Sequence, residues 1–281
     1  MIMVGTAGYS YSDWRGCFYP SDIRPGEMLR FYARRFPVVE LDFSYYRMPN
    51  ARTMAGIGAR VPPGFRLAVK ANRSMTHGGA EGGDGSDEAF AQFRVAVEPL
   101  VGTGQLACVL AQFPWSFSPS AMTLAYLRSW PRLLAGLPTV VEFRNSQWVK
   151  AEYFEFLREL GLGFCAVDEP QLPGLIPPVV AVTSPLSYLR FHGRNAARWW
   201  KHEAAWERYD YLYREDELAE WLPRIREMDD ASGQVLVLFN NCHRGQAATN
   251  AMMLEKMLRE AGFQVAEPHR GGEQIELFDA P

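Results

Sequence analysis

The chain has 281 residues, of which 48% are hydrophobic and 13% aromatic, enough for a substantial buried core. Its formal net charge of -3 and pI near 6.0 provide no global attraction to nucleic acid or to an anionic membrane, so either contact would need a local patch. The four cysteines are scattered and no apolar run approaches membrane-spanning length, which excludes a zinc ribbon and predicts a soluble, cytoplasmic protein with reduced thiols.

Short β-rich runs alternate with amphipathic helical patterns along the chain. The predicted strands are Ile2 to Thr6, Val38 to Phe43, Arg66 to Ala71, Leu106 to Phe113, Thr139 to Arg144, Leu162 to Asp168, Ser187 to His192 and Gln234 to Asn240. The predicted helices are Gly26 to Phe36, Asp87 to Leu100 with Ser86 as N-cap, Ala121 to Trp130, Ala151 to Leu160, Glu215 to Met228 and Gln246 to Ala261. About eight alternations favour an α/β fold with a single closed (β/α)8 TIM-type barrel over residues 1–263. The proline-rich stretch from Gln171 to Pro185 predicts an irregular sixth crossover.

Within these strands the odd positions are apolar, and polar side chains gather toward the carboxyl ends at the other parity. One parity of a barrel strand faces the outer helices and the other faces the lumen, so the polar set should converge where barrel enzymes keep their sites. The candidate catalytic residues are Glu40, Lys70, Glu142, Asp168 and His192, and the candidate substrate-binding residues include Gln112, Arg144, Arg190 and Asn240. A purely structural salt-bridge network is the alternative, which the desolvation cost of buried ion pairs disfavours.

The loops after strands seven and eight are basic and contain glycine, which is typical of a phosphate site in a barrel. Arg194, Arg198 and the segment from Asn241 to Gly245 are the candidate anion ligands. The seventh loop also interleaves aromatic and cationic residues as a base-stacking surface would, although packing at the rim explains the same pattern. Tyr9 and Trp14 in the first loop could add to the aromatic wall.

Motifs of other chemistries are missing: there is no G-x-S-x-G, no P-loop, no H-E-x-x-H and no dinucleotide fingerprint after the first strand. The cofactor therefore stays unknown and no metal ligand is assigned. A divalent metal is still possible, because Glu40, Glu142, Asp168 and His192 could together hold one hard cation.

Several segments together resemble the YecE-like family, the domain of unknown function 72 (DUF72), over nearly the whole chain. They are Gly5 to Trp14 with Phe18-Tyr-Pro20, Val39 to Arg47, Lys70, Thr76-His77, Gln112-Phe-Pro114, Glu142-Phe-Arg144 with Trp148, Arg190 to Gly193, and Phe239 to Asn241 with Ala248 to Ala251. The resemblance implies a barrel and a family whose activity is not settled, and its second motif adds Arg47 to the candidate substrate-binding residues. Asp42 stands where the pattern has asparagine, which adds a negative charge to the site.

Two classes of function fit these residues. The first is an enzyme on a phosphorylated or nucleic-acid substrate in DNA metabolism or repair, such as a phosphoester hydrolase or nuclease, with Lys70, Arg144 and Arg190 neutralising phosphate and Glu142 or Asp168 acting as general base. By fold analogy alone it resembles barrel endonucleases and sugar isomerases. The second is a non-catalytic module that holds a nucleotide or a flipped base.

The tail over residues 264–281 reads as a linker followed by Gln274-Ile-Glu-Leu-Phe278. This segment resembles the peptide through which bacterial polymerases and repair proteins dock on the sliding clamp. In that resemblance the amide of Gln274 bonds at a pocket rim while Leu277 and Phe278 fill an apolar pocket. The alternative is that the tail folds back on its own barrel.

Overall fold

A computed structural model describes residues 1–77 and 86–268, in which eight parallel strands pair in chain order and close into a barrel. The strands are β1 (Ile2–Ala7), β2 (Val38–Leu41), β3 (Arg66–Lys70), β4 (Leu106–Gln112), β5 (Thr139–Glu142), β6 (Gly163–Asp168), β7 (Leu186–Phe191) and β8 (Gln234–Phe239). The predicted (β/α)8 fold is confirmed. Several strands end one or two residues before the predicted end, so that Phe43 begins a helix and Arg144 lies in a loop.

Helices cover the outside of the barrel. They are α1 (Met28–Ala33), α2 (Phe43–Tyr46), α3 (Ala51–Gly58), α4 (Arg73–Thr76), α5 (Asp87–Gly102), α6 (Ala121–Leu133), α7 (Ala151–Glu159), α8 (Ala196–Trp199), α9 (Glu215–Ala219), α10 (Leu222–Ala231) and α11 (Gln246–Glu260). The predicted cap of α5 is confirmed, because the Ser86 hydroxyl accepts a hydrogen bond from the Ala89 N–H at 3.3 Å.

One predicted helix, from Glu215 to Met228, is in fact the two helices α9 and α10. Pro223 lies in the first turn of α10, where its missing N–H costs nothing. In a continuous helix, however, its ring would clash with the carbonyl of Ala219, the last residue of α9. Helix α3 was not predicted.

The sixth crossover contains no helix between β6 and β7, as predicted. A single buried threonine ties it to the barrel: the Thr183 hydroxyl donates to the Leu162 carbonyl at 2.7 Å and accepts from the Phe164 N–H at 2.8 Å. The loop is therefore attached to the start of β6 by side-chain hydrogen bonds instead of helix packing.

The chain returns to the amino end of the barrel after α11. Ile2 donates its N–H to the Gln264 carbonyl and accepts from the Ala266 N–H, so contacts with the barrel continue past residue 263. Gln274, Leu277 and Phe278, the predicted clamp-binding residues, lie outside the described residues. No helix in the two described ranges is both long enough and apolar enough to cross a membrane.

Candidate functional site

Strand register places a polar cluster inside the carboxyl end of the barrel. Residues paired across parallel strands point to the same face, and Gln112 is paired with Glu142 while Glu40 is paired with Ala68. Glu40, Glu142 and Arg190 are almost completely buried. The convergence that the parity pattern predicted is thus confirmed for these residues.

Arg190 lies at the centre of the cluster and joins two strands that are distant in sequence. Its Nη1 donates to Glu142 at 2.6 Å and its Nη2 donates to Glu40 at 2.6 Å. The Tyr188 hydroxyl donates to the other oxygen of Glu40 at 2.7 Å. Asp42 lies farther out, 3.9 Å from Arg190 and 3.8 Å from the Lys70 ammonium.

The two buried glutamates differ in charge. Burial alone would raise the pKa of Glu142, but the guanidinium groups of Arg144 and Arg190 hold it well below its usual range. For Glu40, burial outweighs the single Arg190 contact, and Asp42 adds repulsion, so the pKa rises to about 8. The raised pKa favours the protonated form of Glu40, whereas Glu142 keeps its negative charge between the guanidinium groups of Arg144 and Arg190.

His192 is the neutral neighbour of this pair. Its pKa is lowered by complete burial and by the charge of Arg144, and the attraction of Glu142 does not compensate. The Asn240 amide lies 3.0 Å from Nδ1, and Nε2 lies 3.2 Å from a Glu142 oxygen. A carboxylate so close to Nε2 places the imidazole proton there, with Nδ1 accepting from Asn240.

Arg144 connects the buried cluster to solvent. Its Nε lies 2.7 Å from Glu142, and its Nη1 donates to Glu169 at 3.1 Å. Glu169 also accepts the Ile176 N–H at 3.0 Å, which holds the sixth crossover against Arg144. Burial raises the pKa of Glu169 to about 7, despite the opposing effect of Arg144. The sequence interpretation missed Glu169, which follows the end of a strand without belonging to its alternation.

Asp168 does not join the cluster, so its predicted placement beside Glu142 was wrong. In the register Val167 is paired with Arg190 and Asp168 with Phe191, so Asp168 faces away from the lumen. Its carboxylate accepts from Arg194, from the Tyr213 hydroxyl at 2.6 Å and from the Trp221 indole at 2.7 Å. It anchors the seventh loop and the start of α10.

The proposed metal ligands do not converge either. Asp168 points out of the barrel, and Arg190 occupies the space between Glu40 and Glu142. Among the described residues, no group of three or more histidine, cysteine, aspartate and glutamate side chains has an arrangement that could hold a metal ion. The structure thus offers no reason to assign these residues to a cation.

A cavity of about 310 Å³ opens above the cluster at the carboxyl ends of the strands. It is lined by Tyr45, Tyr46, Lys70, His77, Gln112, Pro114, Trp115, Arg144, Leu175, Trp199, Trp200, Arg208 and Tyr209. Lys70 also lies 4.8 Å from the centre of the Tyr45 ring, and Arg208 packs on Trp199. None of the described residues that line this cavity carries a carboxyl group.

Several other predicted site residues lie elsewhere. Trp14 is completely buried and donates its indole N–H to the Cys242 carbonyl, and Asn241 is buried with its amide on Tyr211 and Asn250. Tyr9 is directed toward Arg60, and Arg47 is exposed outside the cavity. The structure thus keeps Lys70, Gln112 and Arg144 in contact with the cavity and places Glu40, Glu142, Arg190, His192 and Asn240 outside its lining.

The predicted phosphate ligands of loops seven and eight already hold carboxylates of the chain. Arg194 bonds Asp168 and Glu220, Arg198 lies 3.5 Å from Glu207, and the Arg244 N–H donates to Asp13 at 2.7 Å. The cavity cations instead include Arg208, from the part of the seventh loop whose aromatic and cationic pattern was recognised in the sequence. Trp115 and Leu175 were missed, because single apolar residues in loops carry no periodic signal.

Known proteins are similar to this chain over nearly its whole length. The family model described as "Protein of unknown function DUF72" matches residues 3–273. The UPF0759 protein YunF of Bacillus subtilis (strain 168) is 34% identical over 272 residues, which cover 92% of this chain and 95% of that protein.

Two solved structures are also similar. A DUF72 family protein from Thermotoga maritima MSB8 shares 40% sequence identity at a TM-score of 0.85, over 92% of this chain and 99% of that one. A DUF72 family protein from Enterococcus faecalis V583 shares 29% identity at a TM-score of 0.83, over 98% and 100%. None of these descriptions names a substrate or a reaction.

Proposed function

The chain belongs to the DUF72 family of proteins of unknown function, and from that premise we propose that its cavity binds a phosphorylated small molecule or a nucleic acid. One observation carries the proposal: Lys70, Arg144 and Arg208 line the cavity, and none of its described lining residues is an aspartate or glutamate. An anion in the cavity contacts these cations and no carboxyl group of its described lining, while Asp42, with a side chain 24% exposed, lies 3.8 Å from Lys70 outside that lining.

The aromatic lining supports the same class of ligand. Tyr45, Tyr46, Trp115, Trp200 and Tyr209 present ring surface to the cavity, and aromatic rings stack on bases whatever their sequence. The volume lies at the lower end of the range for small-molecule sites, roughly 300–1,000 Å³. A single nucleotide, free or at the end of a strand, is therefore a suitable ligand, whereas a duplex is too large.

Phosphoester hydrolysis is a second candidate function, favoured by the position of His77 in the same cavity as Lys70. Histidine is the side chain most often used to deliver a proton to a leaving oxygen. Glu142 and Asp168 are poorer choices for this chemistry, because each is buried and surrounded by hydrogen-bond donors. Release of inorganic phosphate from adenosine 5′-monophosphate would support hydrolysis; binding without release would leave a non-catalytic module.

Binding itself is tested by calorimetry with inorganic phosphate and adenosine 5′-monophosphate. Arg208→Gln removes a cavity cation, and because hydrogen bonds to charged groups contribute roughly 1.5–3 kcal/mol, we expect it to weaken nucleotide binding at least about tenfold. Arg198→Gln is the matched control, since Arg198 belongs to the same loop but does not line the cavity. If Arg198→Gln alone lost anion binding, the anion site would lie in loops seven and eight. If the native protein bound neither anion, the proposal would be refuted.

We also propose that the tail docks on the bacterial sliding clamp through Gln274, Leu277 and Phe278, on the basis of the peptide resemblance. Most of the binding energy should come from the two apolar side chains. Calorimetry of a peptide spanning residues 271–281 against the clamp should show modest affinity that a Leu277→Ala, Phe278→Ala double variant abolishes. A native peptide that fails to bind at high micromolar clamp would contradict this role and leave DNA repair without support.

A further inference from the structure

The cavity has a charged floor and an aromatic rim. Lys70 and Arg144 lie at the ends of the barrel strands with side chains only 13% and 10% exposed. Trp115 and Trp200, in loops, and Tyr46, at the end of α2, have 48%, 52% and 74% of their surfaces exposed. Two of the cavity cations thus lie deeper than these exposed rings, whereas Arg208 packs on Trp199 in the seventh loop.

This order determines which end of a nucleotide can enter first. Lys70 and Arg144 are already paired with carboxyl groups of the chain, Lys70 with Asp42 at 3.8 Å and Arg144 with Glu142 at 2.7 Å, and a phosphate that reaches them adds further charge-assisted hydrogen bonds in a partly desolvated site. A base that entered first would place neutral atoms against two cations and leave its phosphate among the exposed rings. The arrangement is therefore unfavourable for a flipped base, because the flanking phosphates remain in the strand backbone outside the cavity.

The number of nucleotides that the cavity can hold is also limited. Trp115 and Trp200 touch edge to face in the cavity lining, with ring centres 6.3 Å apart, and the Trp115 indole donates to the Gly174 carbonyl at 3.1 Å. Loops from three different crossovers thus meet on one side of the cavity. The cavity of about 310 Å³ is suited to one nucleotide, so an internal phosphodiester, with nucleotides on both sides, fits it less well than a terminal phosphate does.

We infer that the ligand is a phosphomonoester that carries an aromatic base and enters phosphate first, with its base stacked at the rim. Such a ligand is either a nucleoside monophosphate or the phosphorylated end of a single strand. This inference rests on the proposed function. A phosphate dianion also matches a cavity lined by Lys70, Arg144 and Arg208 better than a diester monoanion does, because it carries the larger negative charge. Trp200 is then a specificity-determining residue that acts on the base and not on the phosphate.

Calorimetric titration with five probes tests the inference: inorganic phosphate, adenosine, adenosine 5′-monophosphate, the dinucleotide ApA and its 5′-phosphorylated form pApA. We expect adenosine 5′-monophosphate to bind at least tenfold more tightly than phosphate or adenosine. If strand ends are accepted, pApA should exceed ApA by the same factor; if only the free nucleotide is accepted, neither dinucleotide should bind. Both results support phosphate-first entry, whereas measurable binding of ApA with the same affinity as pApA would overturn it.

Variants separate the rim from the floor. Trp200→Ala should weaken adenosine 5′-monophosphate at least about fivefold and leave inorganic phosphate unchanged, since base stacking contributes roughly 1–3 kcal/mol. Trp206→Ala is the control, because Trp206 is 50% exposed in the same loop and does not line the cavity. Equal weakening of both ligands by Trp200→Ala would overturn the inference. Failure of every probe, inorganic phosphate included, would instead refute the proposed function.

Discussion

Arg190 is the residue that balances the charge inside the barrel. It bonds one carboxyl group from β2 and one from β5, and Arg144 provides a second positive charge beside Glu142. Such an arrangement stabilises the fold less than an apolar filling would, because each buried ion loses its hydration. Its more specific effect is to fix Glu142, which in turn orients Arg144 at the cavity floor.

Replacing Arg190 should therefore be far more damaging than replacing a surface arginine. Arg190→Ala leaves Glu142 and Glu40 buried with one donor fewer, and we expect it to lower the free energy of unfolding by about 3–5 kcal/mol in urea titrations. Arg132→Ala, which breaks the exposed pair with Asp87, should change it by less than about 1 kcal/mol. Similar losses of unfolding free energy in the two variants would show that the buried carboxyl groups do not depend on Arg190 as a partner.

At the scale of elements, the sixth crossover shows how a barrel tolerates a missing helix. Residues between β6 and β7 pack without a helix of their own, and specific hydrogen bonds hold them, two sets of which involve Thr183 and Glu169. Thr183 binds the start of β6, and Glu169 binds both Ile176 and Arg144 near the cavity. The same loop brings Leu175 to the cavity wall, so its position affects the site as well as the fold.

Thr183→Val tests this attachment, because valine keeps the shape of threonine but leaves the Phe164 N–H and the Leu162 carbonyl without this partner. Each unsatisfied buried group costs roughly 1–3 kcal/mol, and we expect a loss of about 2–4 kcal/mol in thermal or urea unfolding. Thr183→Ser keeps the hydroxyl and should recover most of that loss. A valine variant as stable as the native chain would assign the anchoring to other contacts.

At the scale of the whole molecule, the buried carboxyl groups make stability depend on pH. Burial raises the pKa of Glu40 to about 8 and that of Glu169 to about 7, from an ordinary value of 4.5. Between about pH 4.5 and 8 the folded chain therefore binds more protons than the unfolded chain. The contribution of these groups to the free energy of unfolding falls as pH rises. The lowered pKa of Glu142 acts in the opposite direction: its contribution is present above pH 4.5 and is lost at lower pH.

We therefore expect the stability contributed by these carboxyl groups to be greatest near pH 5 and to fall toward pH 8, while the lowered pKa of His192 opposes this trend below its ordinary value of 6.5. The steepest slope for one group is roughly 1.4 kcal/mol per pH unit. Urea unfolding at pH 5, 6, 7 and 8 measures it, and Glu169→Gln should flatten the profile mainly between pH 5 and 7. A Glu169→Gln profile parallel to that of the native chain would mean that Glu169 does not titrate in this window.

Local patterns in the sequence are sufficient to predict the barrel and the end of it that carries polar residues. Alternation with a period of two places Glu40, Lys70, Gln112 and Glu142 on one face of each strand, and strand–helix repetition implies a parallel closed sheet. The position of Arg190 on the same face as Tyr188 and His192 also follows from alternation alone. These features depend on neighbouring residues, so no tertiary information is needed.

Only the tertiary structure decides which face of a strand is inside. In β6 both faces are buried, so Val167 and Asp168 are equally compatible with the lumen by sequence, and barrel closure aligns Val167 with Arg190. The bond between Arg190 and Glu40 joins residues 150 positions apart. Cavity residues such as Trp115 and Leu175 come from loops whose paths are set by packing. Closure and loop packing are non-local, and a periodic pattern does not contain them.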